Sequence, residues 1–93
     1  MLTELIGTVR DTAVSMLREN PYKYHGYRLQ HSGLDPARFS TKYRVVAVLE
    51  GGLRLEHEDD VSKIDVWHPW LTIPTDMLVD IATHGGTNAA SPR

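Results

Sequence analysis

The stretch Lys42-Tyr43-Arg44-Val45-Val46-Ala47-Val48-Leu49-Glu50-Gly51-Gly52-Leu53-Arg54-Leu55-Glu56-His57 decides how the rest of the chain is read. Both flanks are rich in β-branched and large apolar residues, and two glycines stand between them. That pattern predicts a β-hairpin turning on Gly51-Gly52, where glycine gives free access to positive φ. A two-residue loop there pairs Glu50 with Leu53, Val48 with Leu55 and Val46 with His57. One face of the hairpin is then mostly apolar, while the other pairs Leu49 with Arg54 and Ala47 with Glu56. The expected sheet is covered on one side only.

The element expected to cover it lies upstream. Leu2, Leu5, Ile6, Val9, Ala13, Met16 and Leu17 recur at the spacing of one helical face, with Thr8, Asp11, Ser15 and Arg18 largely on the other side. A helix from Leu2 to Glu19 follows, stopped by Asn20-Pro21, since proline disfavours helical conformation in the residue before it. Gly7 weakens its first turns by up to ~1 kcal/mol relative to Ala. Packing on the sheet is the preferred reading of the stripe; a helix laid in a partner's groove has the same pattern.

The remaining elements are shorter. Tyr and Leu content permits a strand at Tyr27–His31, Ser32-Gly33 reads as a turn, and Asp35-Pro36-Ala37-Arg38-Phe39 as one helical turn capped by Asp35. After an acidic turn at Glu58-Asp59-Asp60, residues 62–68 read as a third strand, with Ile64 and Val66 facing one way and Lys63, Asp65 and Trp67 the other. A helical turn from Asp60 fits the same residues. Pro74-Thr75 opens a last helix, with Met77, Leu78, Ile81 and Ala82 on one face, Asp76 at its N-terminus and Gly85-Gly86 as its stop. The expected architecture is α+β: an N-terminal amphipathic helix packed on a small antiparallel sheet of two to three strands, plus a short C-terminal helix. Residues 1–84 form one domain and 85–93 a disordered, small and polar tail.

Composition narrows the class. A chain of 93 residues buries only roughly 60–65% of its unfolded surface, so a few large apolar residues carry the core. An apolar fraction of 41% and a charged fraction of 24% suit a globular protein. Without cysteine there is no disulfide framework and no thiolate zinc site. The N-terminus lacks the basic and apolar regions of a signal peptide, and no apolar run approaches the ~20 residues that span a bilayer. A cytoplasmic location, with no membrane partner, is the expectation.

Charge divides unevenly along the chain. Residues 1–49 hold seven Lys/Arg and four Asp/Glu, and residues 50–93 hold three and eight, so a half of +3 precedes a half of −5. Such a chain steers a charged partner to one side or favours head-to-tail contacts between copies, or its halves lie together and partly neutralise each other; the last reading is preferred.

Four kinds of chemistry compete for the remaining residues. His57, Asp59, Asp60, Asp65 and His68 carry metal-ligand groups, but their spacing matches no established site, and neither metal nor cofactor is expected. His25, His31, Arg38, Lys42 and the tyrosines suggest a metal-independent ribonuclease on a helix-plus-meander layout, yet such enzymes are strongly basic and this chain is not. Residues 21–44 hold five Lys/Arg and one acid among Tyr22, Tyr24, Tyr27, Phe39 and Tyr43, a composition suited to stacking single-stranded bases. Protein binding is the favoured reading: Trp67-His68-Pro69-Trp70 sets two large aromatics beside a proline in a domain with little interior to receive both. Trp67 and Trp70 are the leading contacts, with Tyr22, Tyr24 and Arg28 second. Both tryptophans also fit as caps on the core, and a homodimer fits the same features.

In size, composition and loose tail the chain resembles the small accessory proteins of actinobacteriophages, many of which bind and redirect a host protein. The resemblance implies a cytoplasmic host partner, such as a cell-division or polar-growth scaffold, and assigns no residue. The expected function is that of a non-enzymatic adaptor or inhibitor. A nucleic-acid-binding protein or small ribonuclease is the alternative.

Overall fold

A computed structural model describes residues 2–32, 34 and 41–86, with side chains of the first helix described from Gly7 onward. Helix α1 spans Leu2–Glu19 and is followed by a 3-10 turn at Pro21–Tyr24. Four strands form one antiparallel sheet in sequential order: β1 Arg28–His31, β2 Thr41–Leu49, β3 Gly52–His57 and β4 Val66–Pro69. A 3-10 turn at Trp70–Thr72 leads into α2, Thr75–Asp80, which continues as a π-helical turn over Ile81–Gly85. The result is the expected α+β arrangement with one strand more. The proposed helical turn at 35–39 and the tail from 87 onward lie outside the described residues.

Alternation along β2 and β3 builds the core. Tyr43, Val45, Val48, Leu53 and Leu55 are buried on one face, where Leu17, Met77, Leu78 and Ile81 meet them from α1 and α2. α1 packs against α2 and its continuation as well as β2. The stripe on α1 is rotated from the sequence reading: Ala13 and Leu17 are buried, whereas Val9 and Met16 stay 40% and 42% exposed. Arg10 explains the rotation. Its guanidinium turns toward the other elements, donating to the carbonyls of Trp70 and Ile73 (2.7 Å for the latter) and to Thr75 Oγ1 at 3.2 Å. A cation that binds the end of one helical turn and the start of the next fixes which face α1 presents.

The hairpin register also differs from expectation. Leu49 pairs with Gly52, Val48 with Leu53 and Ala47 with Arg54; a bulge at Val46 then sets Val45 opposite Leu55 and Tyr43 opposite His57. The turn residues are therefore Glu50-Gly51, and Gly52 belongs to β3. Among the described residues only Gly26 has positive φ, at +89°, so conformational freedom is not what Gly52 supplies. It supplies room: a Cβ there would stand 2.2 Å from the His68 carbonyl oxygen and 2.8 Å from the Pro69 Cα. β4 approaches β3 more closely than any side chain permits. The bulge lets Val45 and Val48, three residues apart, share the inner face.

β4 starts at Val66, not at Ser62, and Ile64 is left 64% exposed in the loop before it. The last helix passes through the expected stop. Gly86 keeps helical angles, and Gly85 and Gly86 are buried against the rings of Tyr24 and Tyr27, where added Cβ atoms would come within 3.2 Å. No helix among the described residues is long and apolar enough to cross a membrane.

Candidate functional site

The face of the sheet away from the helices is built by the same alternation. Across it Arg28 lies opposite Arg44 and Arg44 opposite Glu56, Ala47 opposite Arg54 and Arg54 opposite Trp67, Leu49 opposite Gly52 and Gly52 opposite Pro69. Cations on this face meet carboxylates. Arg44 Nη2 lies 2.7 Å from Glu56 Oε1, Arg28 Nε 3.0 Å from Glu58 Oε2 and Arg54 Nε 3.6 Å from Asp65 Oδ1. Arg18 pairs with Glu50 beside the hairpin turn. Glu58, hydrogen-bonded to the Arg28 guanidinium, holds it above its usual pKa. Three of these pairs join a base of residues 1–49 to an acid of residues 50–93, so part of the opposed charge of the two halves meets within the fold.

Trp67 stands at the hairpin end of this face. Its side chain faces outward with Arg54, and its ring approaches Gly51, where an added Cβ would sit 3.5 Å from Cζ2. The residue is 45% exposed, and Leu49 and Pro69 are exposed beside it. These three form an apolar patch bordered by the Arg54–Asp65 and Arg18–Glu50 pairs. The sequence reading set Leu49 on this face opposite Arg54; the observed register pairs it with Gly52, and Gly52 with Pro69, which brings Leu49 and Pro69 to the hairpin end beside Trp67.

The other sequence candidates divide. Trp70 is packed against the core, its Nε1 donates to the Glu50 carbonyl at 2.7 Å and its backbone N–H to the Gly51 carbonyl at 3.2 Å. It fastens the hairpin turn rather than presenting a contact. Tyr24 is buried in the core, its hydroxyl 3.4 Å from the Met16 carbonyl; burial first, and Glu19 second, raise its pKa. Tyr22 is 79% exposed, with its ring edge against His25. Arg28 is exposed but engaged by Glu58. Tyr27, read only as part of the aromatic segment, donates to Asp80 Oδ1 at 2.8 Å, and burial with that bond pushes its pKa up to about 12.

The histidines of the ribonuclease reading are not brought together. His25 Nε2 accepts from the Val48 N–H at 3.4 Å, while His31 pairs with Thr41 in the sheet and with Asp76 at 3.2 Å. Val48 and Thr41 stand at opposite ends of β2, about 23 Å apart at strand rise. Of the acidic and histidine cluster, Asp59 accepts from the Lys42 N–H, Asp60 from Ser62, and Asp65 pairs with Arg54. Only His57 and His68 meet, and among the described residues no group of three or more such side chains is placed to hold a metal. No protein-family model, curated protein or solved structure matches the chain.

Proposed function

We propose that the chain is a non-enzymatic protein-binding module, an adaptor or inhibitor, whose partner docks on the open sheet face around Trp67. The observation that carries this reading is the Trp67 ring, 45% exposed and flanked by Leu49 and Pro69 on the face opposite the helices. A rigid aromatic on a strand, with apolar neighbours and a rim of ion pairs, has the make-up of a binding hot spot. The resemblance to phage accessory proteins favours a cytoplasmic host protein as the partner. Nucleic acid ranks second, because Arg28 and Arg44 of the basic segment are held by Glu58 and Glu56, whose charge repels phosphate.

Affinity capture from host lysate, with and without nuclease, tests the proposal when wild type and Trp67→Ala are run side by side. The expected result is one protein recovered in stoichiometric amount by wild type in both conditions and lost from a Trp67→Ala variant that still unfolds cooperatively. Material released by nuclease, or a partner retained by Trp67→Ala, would sink it. A second copy of the chain as the captured species would make the surface a homodimer interface.

A further inference from the structure

We propose that His57 and His68 form a proton-operated latch that holds the edge strand β4, and with it Trp67, against the sheet. The two Nε2 atoms are 3.1 Å apart. The ring centroids are 5.3 Å apart and the ring planes differ by 13°. That centroid distance exceeds the nitrogen separation by about two centre-to-nitrogen lengths, so the imidazoles meet end-on and are not laid face to face. One proton fits between them: one Nε2–H donates and the other Nε2 accepts. A second proton turns the acceptor into a donor and sets two cations nose to nose.

The position of the pair gives that event a structural consequence. His57 is the last residue of β3 and His68, the third of β4, lies opposite Leu53, so their bond ties the two strands together diagonally across the Leu55–Val66 pair. β4 is paired with β3 over four positions and, among the described residues, has no strand on its other side. His57 is 8% exposed, with little water to dilute a charge, and the edge of the Tyr43 ring from β2 packs on it at 4.9 Å. From the loop, the Lys63 carbonyl accepts the His57 N–H at 2.8 Å, and the Lys63 ammonium has Asp60 4.0 Å away. Burial, then His57, then Lys63 hold the His68 imidazole below its ordinary pKa.

The sign follows from linkage. An imidazole with a depressed folded-state pKa contributes stability that is whole above the unfolded value of about 6.5 and is lost as pH falls from there toward the folded value. His31 and His84 differ in their surroundings, since each faces a carboxylate, Asp76 at 3.2 Å and Asp80 at 3.1 Å. His25 also accepts a hydrogen bond, from the Val48 N–H of β2 at 3.4 Å, so it is release at β4 in particular that marks the His57–His68 pair. The latch is independent of what binds; that its opening withdraws a docking surface rests on the function proposed above.

Amide hydrogen exchange on the intact chain, followed by NMR from about pH 8 to about pH 5, tests the latch across the range where histidine changes charge. Protection of residues 66–68, referred to Val45 and Leu53, should fall by up to about tenfold per pH unit, the limit for one proton taken up on opening. His68→Gln keeps a hydrogen-bonding group but cannot titrate, and should flatten the profile, while His84→Gln should leave it as in wild type. If His68→Gln does not fold, wild type decides alone. Protection at 66–68 that stays flat down to about pH 5, or imidazole shifts showing His57 and His68 titrating independently, overturns the latch. Loss of protection with partner capture unchanged by pH keeps the latch and removes the Trp67 surface from the function.

Discussion

Along β2 and β3 the same backbone serves two surfaces that behave differently. Toward the helices stand Tyr43, Val45, Val48, Leu53 and Leu55, all buried; toward the opposite side stand Arg44, Ala47, Arg54 and Glu56, with Trp67 beside them on β4. The two tryptophans, three residues apart, fall on either side of this division. Trp70 is folded onto the core and bonded to the hairpin turn, and Trp67 remains on the open face. In so small a domain every large buried side chain carries a sizeable share of the stability. The open face is then the place where residues can change with little cost to folding. Substitutions that separate the two faces test this division directly.

The largest effect belongs on the inner face. Leu55→Ala removes a side chain with no exposure at all, and should lower the free energy of unfolding by about 3 kcal/mol, measured in urea. A neighbouring pair of glycines sharpens the point. Gly52→Ala forces a Cβ into the His68 carbonyl and the Pro69 Cα, and should cost about 2 kcal/mol by prying β4 from β3. Gly51→Ala meets only the Trp67 ring at ordinary contact distance, and should cost less than about 0.5 kcal/mol. Equal costs at the two glycines would mean that β4 leaves room for a side chain at position 52.

These glycines also mark where the sequence could and could not be read. Alternation from Tyr43 to His57 and the helical period from Leu2 to Glu19 were legible because each depends on residues close together in the chain. The hairpin register was not. A Gly-Gly pair between apolar runs looks like a turn, and the demand on Gly52 comes from His68 and Pro69, which local pattern cannot see. Val9 and Met16 were read as core for a similar reason: the face α1 turns inward is set by Arg10 reaching the carbonyls of Trp70 and Ile73. At the candidate site, Trp67 and Trp70 were indistinguishable by type. Their roles separate only once Trp67 is paired with Arg54 on the outer face and Trp70 is bonded to Glu50.

The tryptophans give the next test. Trp70→Phe keeps most of the packing and deletes the Nε1–H bond to the Glu50 carbonyl, a loss of about 1 kcal/mol in the same urea titration, with partner capture retained. Trp67→Ala should destabilise by no more than about 1 kcal/mol and abolish capture. The reverse pattern, in which Trp70→Phe loses the partner and Trp67→Ala unfolds the chain, would exchange the roles of the two residues.

The smallest effect concerns the ion pairs of the open face. Arg44→Gln breaks the contact with Glu56, whose partners are 42% and 27% exposed. Because water reaches both groups, the change in unfolding free energy should be within about 0.5 kcal/mol, and it should shrink further in added salt. Glu56 then faces outward without Arg44, which makes the open face more negative while the inner face stays intact. If these pairs only neutralise the face, capture by Arg44→Gln should match wild type. If they set the register of a charged partner, the association rate should change with salt while stability does not. A loss of several kcal/mol in stability would instead place Arg44 in the core network and collapse the division between the faces.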